Sequence, residues 1–560
     1  MTMAVRGRRA LVLLAAGAAV GAGCARDPAV RSFGDRSVAW QEHDSEDLPK
    51  APRPSDLGEL DSTLLARDDL AGEADRLLAV EGARPARDVN AADEVPCSTW
   101  FCPRNHLRPM TSETVAAGPA GAPPRLPLRI IKGKDRGAAL GFQVIDADGR
   151  KYMLKLDPAG HLGMSTAAEI VGTRVFHAAG YNVPSNFVLD LRDDDLTVDP
   201  AATYKLYGVK ERPLTEPLVR QRLALAARTP DGRLRAVAVT WIGGKLLGAF
   251  DMIGRRADDP NDRIAHQERR SLRASWIVAA WLAVYDASAI NTLDSYVEED
   301  GRHFVRHYLF DFGAGLGSAT STVKGPADGQ QYSIEVGRSL ASLLTLGIYQ
   351  RHYQSQRGPW LETMAMHPRI GWFPAEAFDV ESFRTNRKGP AYKRMTDRDA
   401  YWGAKLVTSF SDAQIEAVVA ATELEPPDAA YVARALGVRR DIIGLRYLTA
   451  VTAVEAPAVV ADGGPRQLCF DDLAIARAYA DASRVRYHVQ ISDERGRLLA
   501  DRTATAQGPH SCLSAPETAS GYRVIAISAA RQDEAGAWRR AKTSRVHVTS
   551  GHVVGLERDE

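Results

Sequence analysis

The 560-residue sequence lacks any long apolar run after its N-terminus, and no later segment reaches the roughly 18 residues of a membrane-spanning helix. Neither sign of charge is in clear excess, because 71 basic and 70 acidic residues give a net charge of +1. This balance does not indicate nucleic acid as a partner. HExxH, calcium-loop spacing, a Ser-His-Asp arrangement that can be placed and internal repeats are absent as well. What remains is a chain of ordinary globular composition, long enough for more than one domain.

The N-terminus carries an export pattern. Three arginines among the first nine residues precede a short apolar segment over 10–23, which predicts a signal peptide over 1–23. The small residues before Cys24 resemble the lipobox of bacterial lipoproteins, although Gly21 stands where a leucine is usual. We therefore predict lipidation of Cys24 and a cell-envelope location, on the periplasmic face or the cell surface. Ordinary cleavage near Ala22, leaving a free thiol, is the alternative.

Cysteine is scarce, with five residues in the chain. If Cys24 carries lipid, the remaining four fall into two local pairs. Two disulfides, Cys97–Cys102 and Cys469–Cys512, are then the simplest pairing in an oxidising compartment. A zinc site at the first pair is less well supported, because no other pair of cysteine or histidine residues lies nearby in sequence.

Composition divides the mature chain into four parts. Residues 24–127 are rich in Asp, Arg, Ala and Pro, which predicts a flexible tether containing the first cysteine pair. Residues 128–250 are typical of strands with one helix and then more strands, and 251–460 are mainly helical. Residues 463–555 alternate like a small β-sandwich of immunoglobulin or fibronectin type. The sequence thus predicts the α+β class.

The most informative stretch is 286–317, DASAINTLDSYVEEDGRHFVRHYLFDFGAGLG. It follows a predicted buried helix and contains two apolar runs around a charged turn, which predicts a hairpin. Asp286 and Asn291 precede the hairpin, and Asp311 follows it directly. A carboxylate can accept a proton from a hydroxyl, and an amide and a second carboxylate are oxygen ligands suited to Mg²⁺. Capping and turn roles are the structural alternative.

A second group of candidates lies in 128–170. Lys155 ends a predicted strand, where it could contact phosphates or only solvent. Glu169 could pair with Lys155, or it could form a capping box with Thr166. Three glycines in the loop between the first two strands could approach phosphates or only serve turns: Gly133, Gly137 and Gly141.

Four other aspartates are weaker candidates for the site. The loop that contains Asp258, Asp259 and Asp262 also contains several arginines, and we expect it to be solvated. Asp294 lies close to Asn291 and could be a ligand or a turn residue.

Lys155, Glu169, Asp286, Asn291 and the run HYLFDFGAGLG together resemble atypical kinases of the protein-kinase-like superfamily, such as HipA-type, CotH-type and phosphatidylinositol kinases. The resemblance covers about residues 128–450. It implies a two-lobed kinase-like core, with a small lobe over 128–250 and a helical large lobe over 251–460.

The resemblance also implies roles. Lys155 would hold phosphates, Glu169 would position it, and Asp286 would be the catalytic base. Asn291 and Asp311 would bind Mg²⁺, and ATP or another nucleotide would be the donor. The acceptor would be a hydroxyl on an envelope protein, glycan or lipid.

Some features depart from the kinase pattern. Val284 and Tyr285 stand where ordinary protein kinases have His-Arg, the glycine spacing is irregular, and no Ala-Pro-Glu closes an activation segment. An inactive pseudokinase-like scaffold is therefore the alternative function. Hydrolysis by the carboxylates is a weaker third.

Overall fold

The computed structural model describes residues 43–55, 84–134, 140–205, 211–332, 343–345, 353, 356–387, 389–461, 466–514, 521–533 and 535–560. These residues have mixed helical and strand structure with several sheets, which confirms the α+β class. The expected signal peptide, Cys24 and Gly137 lie outside the described residues. Within the described ranges, no helix is long and apolar enough to cross a membrane.

The first sheet is formed by the strands β1 (Leu128–Gly133), β2 (Gly141–Ile145), β3 (Lys151–Leu156), β4 (Asn186–Leu191), β5 (Leu196–Tyr204), β6 (Arg212–Pro213) and β7 (Leu234–Thr240). Their order is β4-β7-β3-β2-β1-β5-β6, and only β1 and β5 pair in parallel. A turn at 146–149 connects β2 to β3. Leu128, Phe142 and Leu154 are almost fully buried in the core of this sheet.

The α-helices among the described residues are α1 (Ser112–Ala117), α2 (Met164–Ala179), α3 (Glu216–Leu223), α4 (Arg270–Trp281), α5 (Arg357–Met366), α6 (Pro390–Lys393), α7 (Asp397–Val407), α8 (Asp412–Ala420), α9 (Pro426–Leu448) and α10 (Leu473–Ala476). A capping box of Ser411 and Gln414 begins α8. Helix α9 is one continuous helix of 23 residues. Every residue of α4 is buried, including Arg270 and Arg273, which both pair with Asp399 of α7.

The predicted hairpin is present in a second sheet, formed by β8 (Lys245–Gly248), β9 (Thr292–Glu299) and β10 (Arg302–Leu309). Asp300 and Gly301 both have positive φ, of 51° and 72°, which fits a two-residue type I′ turn. At the open end, the amide of Phe310 donates to the carbonyl of Asn291 at 3.2 Å. The residues before β9 and after β10 are therefore held side by side.

Residues 84–127 do not behave as the flexible tether that their composition predicts. Trp100 is buried and stacks on His307 of β10, with 3.5 Å between ring centroids. Asp93 is buried and forms ion pairs with Arg270, Arg398 and Arg558. A few apolar anchors and buried ion pairs thus hold this segment against the rest of the chain, despite its polar composition.

The C-terminal strands are β11 (Val454–Val460), β12 (Gln467–Asp472), β13 (Val485–Asp493), β14 (Leu498–Thr505), β15 (His510–Ser514), β16 (Arg523–Gln532), β17 (Trp538–Arg540), β18 (Ser544–Thr549) and β19 (His552–Arg558). One sheet has the order β11-β12-β15, and the other has β14-β13-β16-β18-β19 with β17 beside β16. Phe470 of the first sheet and Tyr487 and Ile527 of the second lie in one shared core.

Candidate active site

Lys155 lies at the centre of the candidate site. Its strand, β3, pairs with β2 on one side and β7 on the other, so the backbone of Lys155 is fixed from both directions. The side chain is 6% exposed, and its Nζ donates to Glu169 Oε2 at 2.9 Å and to Asp311 Oδ1 at 2.7 Å. The solvated alternative for Lys155 is therefore wrong.

Glu169 is brought to Lys155 by the position of helix α2. Asp157, directly after β3, accepts hydrogen bonds from the amides of Gly163, Ser165 and Thr166 and so caps the helix. Thr166 lies inside the helix and does not cap it, so the capping-box alternative is wrong. Glu169 lies in the second turn and is 1% exposed. Its side chain forms the ion pair instead.

Asp311 follows β10 in a left-handed backbone conformation, with φ of 65°. Such a conformation is strained for a residue with a side chain and is concentrated at functional sites. Although burial raises its pKa, the ammonium groups of Lys155 and Lys134 hold the pKa of Asp311 at about 2. Burial, opposed by Lys155 and reinforced by Asp311, raises the pKa of Glu169. Lys155 thus lies between two carboxyl groups, and its Nζ is 2.7 Å from Asp311 and 2.9 Å from Glu169.

Phe312 packs the loop that carries Asp311 against helix α2. Its ring stacks on Phe176, with 4.7 Å between centroids. A Cβ at Gly172 would approach the Phe312 Cβ to 2.3 Å, so only glycine permits this contact. The helix that carries Glu169 and the loop that carries Asp311 are therefore in direct contact.

Asp286 and Asn291 adjoin the same centre. Asn291 Nδ2 donates to the backbone carbonyl of Asp286 at 2.8 Å, and Asn386 Nδ2 donates to Asp286 Oδ1 at 2.6 Å. Burial raises the pKa of Asp286; the Asn386 hydrogen bond opposes that rise, and the charge of Asp311 adds to it. Asp286, Asn291 and Asp311 line one cavity.

The glycine loop is described only at its two ends. Gly133 ends β1 and Gly141 begins β2, so neither lies within the loop as expected. A Cβ at Gly141 would meet the Leu154 carbonyl oxygen at 2.4 Å, and one at Gly133 would meet the Tyr204 Cβ at 3.0 Å. Strand packing therefore accounts for both glycines.

Lys134 is a site residue that the sequence reasoning missed. Its amide donates to the Gly141 carbonyl, and Gly141 pairs with Lys155, so the two lysines lie in one row across β1, β2 and β3. Burial lowers the pKa of Lys134, while the negative charge of Asp311 raises it. The useful signal was the position of a lysine at the end of a strand beside the glycine loop.

Three further residues had no sequence signal. Asn386 reaches Asp286 from 100 residues away. Ser288 lines the cavity, and its Oγ is buried with no hydrogen-bond partner among the described residues. Lys324 is buried and donates to the carbonyls of Ala283 and Leu316, which joins the loop before Asp286 to the loop after Asp311.

Three of the four other aspartates, Asp259, Asp262 and Asp294, are buried. Asp294 lies on β9 and not in a turn, and it pairs with Arg256 and His307. Asp259 and Asp262 are each 4% exposed, so the expectation of a solvated loop is wrong for both, whereas Asp258 is exposed. Asp262 pairs with His266, so Asp262 and Asp294 both have structural partners.

Both expected disulfides are present, Cys97–Cys102 and Cys469–Cys512. The first pair therefore holds no thiolates for zinc. Disulfides fit an exported protein without being specific to one.

Comparison with known proteins finds no match, because no family model, curated protein or solved structure is significantly similar to this chain. The function therefore has to be inferred from the site itself.

Proposed function

We propose that this chain is an exported, lipid-anchored phosphotransferase with an atypical kinase-like core. One observation carries the proposal: Lys155 Nζ lies within hydrogen-bond distance of both Glu169 and Asp311, although the three residues come from separate elements. A lysine more than about 10 Å from Asp311 would have argued against a shared phosphate site.

The charges suit a nucleotide polyphosphate. Lys155 and Lys134 would contact phosphate oxygens, and Glu169 would hold Lys155 in position. Asp286 would accept the proton of the acceptor hydroxyl while the hydroxyl oxygen attacks the γ-phosphorus. The bond between the γ-phosphorus and the oxygen bridging to the β-phosphate breaks, and the nucleoside diphosphate leaves. A pKa raised by burial favours that proton transfer, because a general base works best near the operating pH.

The donor set fits Mg²⁺. Asn291 offers an amide oxygen and Asp311 a carboxylate oxygen, which are the hard ligands that Mg²⁺ prefers together with phosphates and water. When bound, the ion would supply positive charge beside the phosphates. The buried Ser288 Oγ on the cavity wall has no hydrogen-bond partner among the described residues, which supports a polar occupant, since such atoms are normally satisfied.

The finer architecture belongs to the same proposal. We assign 128–250 as the small lobe, 251–453 as the helical large lobe and 454–558 as an immunoglobulin- or fibronectin-like sandwich, because β11 pairs with β12 and so belongs to the C-terminal strands. The signal peptide and Cys24 would place the chain in the cell envelope, attached to the membrane by lipid. The acceptor would be a hydroxyl of an envelope protein, glycan or lipid, and nucleic acid is not expected.

The test is thermal unfolding of the purified chain with ATP or ADP, with and without Mg²⁺. Binding at a hundred times the Kd stabilises the folded state by about 2.7 kcal/mol, so the melting temperature should rise only when Mg²⁺ is present. Asp311→Ala should abolish the rise, and Asp190→Ala, an exposed carboxylate on β4, should keep it. A rise that persists in Asp311→Ala contradicts the proposal.

An inactive scaffold is the alternative function. Val284 and Tyr285 before Asp286 favour it, and so does the direct contact of Lys155 with the carboxylate that would bind metal. Measuring the transfer of labelled γ-phosphate to the chain itself or to water distinguishes the phosphotransferase from the scaffold. An active enzyme loses transfer in Asp286→Ala while retaining nucleotide binding, whereas a scaffold binds without transfer in either form.

A further inference from the structure

The outer face of the β12–β15 strand pair carries four chemically active side chains. Cys469 lies directly opposite Cys512, and Asp471 lies directly opposite His510. Alternate residues of a strand point to the same face, so the cysteine pair and the Asp–His pair are neighbours on one surface. The opposite face of both strands is buried in the core and holds Leu468, Phe470, Ser511 and Leu513.

The imidazole of His510 is oriented by Asp471. Nδ1 is 2.8 Å from Asp471 Oδ1, and Nε2 is 3.7 Å from Cys512 Sγ. The carboxylate therefore holds the tautomer in which Nε2 keeps a lone pair directed at the sulfur. The ligand atoms of Cys469, His510 and Cys512 all lie within 4.8 Å of one another.

We propose that reduction of Cys469–Cys512 converts this face into a Zn²⁺ site, with Cys469 Sγ, Cys512 Sγ and His510 Nε2 as ligands. In the oxidised form the sulfurs are bonded to each other and provide no thiolate. A dithiol would supply the two electrons and two protons that cleave the S–S bond and would itself become a disulfide. Zinc then displaces the two thiol protons.

The ligand set selects the metal. Two thiolates and one imidazole are ligands that zinc prefers, and three protein ligands leave a fourth position for water. Asp471 would act as the outer partner that orients a zinc-bound histidine. The two strands pair along five residues from 467 to 471, so the ligands stay close together when the disulfide is open.

The experiment uses the full chain, reduced by a water-soluble phosphine. Each disulfide, one phosphine and one water give two thiols and a phosphine oxide. After anaerobic removal of the phosphine, Zn²⁺ is added, excess is removed by gel filtration, and bound zinc is measured by mass spectrometry. We expect one zinc per reduced chain and none per oxidised chain.

Variants identify the ligands. His510→Ala changes a side chain that is 64% exposed, so it should fold normally and fail to retain zinc. Asp471→Ala should weaken zinc binding by about 10- to 100-fold. The double variant Cys97→Ser/Cys102→Ser, which removes the other disulfide, should retain the zinc.

Alkylation provides a second measurement. Zinc should slow the labelling of Cys469 and Cys512 by at least about tenfold and should leave the labelling of Cys97 and Cys102 unchanged. Equal zinc in His510→Ala, or loss of zinc with the Cys97/Cys102 pair, overturns the proposal. So does a reduced chain that loses its β-sheet circular dichroism, because the site requires the paired strands.

Discussion

Replacing Lys155 by methionine removes a cation that donates hydrogen bonds to two carboxylates, the buried Glu169 and the half-buried Asp311. The side chains of Lys155, Glu169 and Asp311 are 6%, 1% and 25% exposed. Methionine has nearly the length of lysine, so the main change is the loss of charge and not a cavity. The variant therefore measures how strongly the candidate site depends on this lysine.

The expected loss follows from burial. Removing one partner of a buried ion pair destabilises a protein by about 3–5 kcal/mol, because it leaves an uncompensated charge. Water reaches Asp311 in part, and Glu169, whose pKa burial already raises, can bind a proton. Both effects reduce the loss of stability, so we expect Lys155→Met to lower the free energy of unfolding by about 3 kcal/mol.

The pH dependence has a definite sign. A carboxyl group whose pKa is raised on folding favours the folded state below its unfolded pKa, and that contribution is lost as the pH rises through the folded pKa. Without Lys155, which lowers the pKa of Glu169, that pKa rises further. The deficit of Lys155→Met relative to wild type should therefore be larger at about pH 8 than at about pH 5.

Urea unfolding followed by tryptophan fluorescence and circular dichroism measures the free energy, provided that the two transitions coincide. Lys151→Met, an exposed position on the same strand, is the matched control and should change stability by less than about 0.5 kcal/mol. Lys155→Met/Glu169→Gln should recover part of the loss. A deficit below about 1 kcal/mol, typical of a surface ion pair, or one that does not change with pH would refute this reasoning.

Three further perturbations test the rest of the site. Lys134→Ala should weaken Mg-nucleotide binding about tenfold or more, through loss of a charge-assisted contact, and calorimetric titration measures this. Asn386→Ala removes a hydrogen bond that lowers the pKa of Asp286, so the rising limb of the pH–rate profile for nucleotide turnover should move to higher pH. Gly172→Ala forces helix α2 away from Phe312 and should destabilise the chain by about 1–3 kcal/mol in urea, with weaker nucleotide binding. An unchanged nucleotide affinity in Lys134→Ala, an unmoved limb in Asn386→Ala or wild-type stability in Gly172→Ala would each contradict the corresponding role.

Local sequence signals predicted the elements near the site correctly. The apolar runs around EEDGR predicted the hairpin, because Asp300-Gly301 suits the positive φ angles of its turn. The helix expected within 128–250 is α2, and the buried helix expected before Asp286 is α4. Both disulfides were predictable because four cysteines remain besides Cys24, of which one pair lies five residues apart and the other pair shares the C-terminal segment.

Composition misled where a few contacts outweigh many polar residues. Residues 84–127 read as a tether because aromatic residues are few, yet Trp100 and Phe101 are buried. Asp93 joins this segment to α4, α7 and β19 through three arginines. Composition averages over a segment, whereas docking depends on single buried anchors and on partners hundreds of residues away.

The sequence by itself determined the order of the candidate residues, the hairpin that separates Asn291 from Asp311, and the strand and helix that carry Lys155 and Glu169. Only the tertiary structure decided that Lys155 bonds to Glu169 and Asp311, that Asn386 reaches Asp286, and that Lys134 lies in the row of Lys155. Local elements follow from periodicity and turn chemistry, which neighbouring residues set. Convergence of charges from distant elements follows from how sheet and helix pack, which no local pattern encodes.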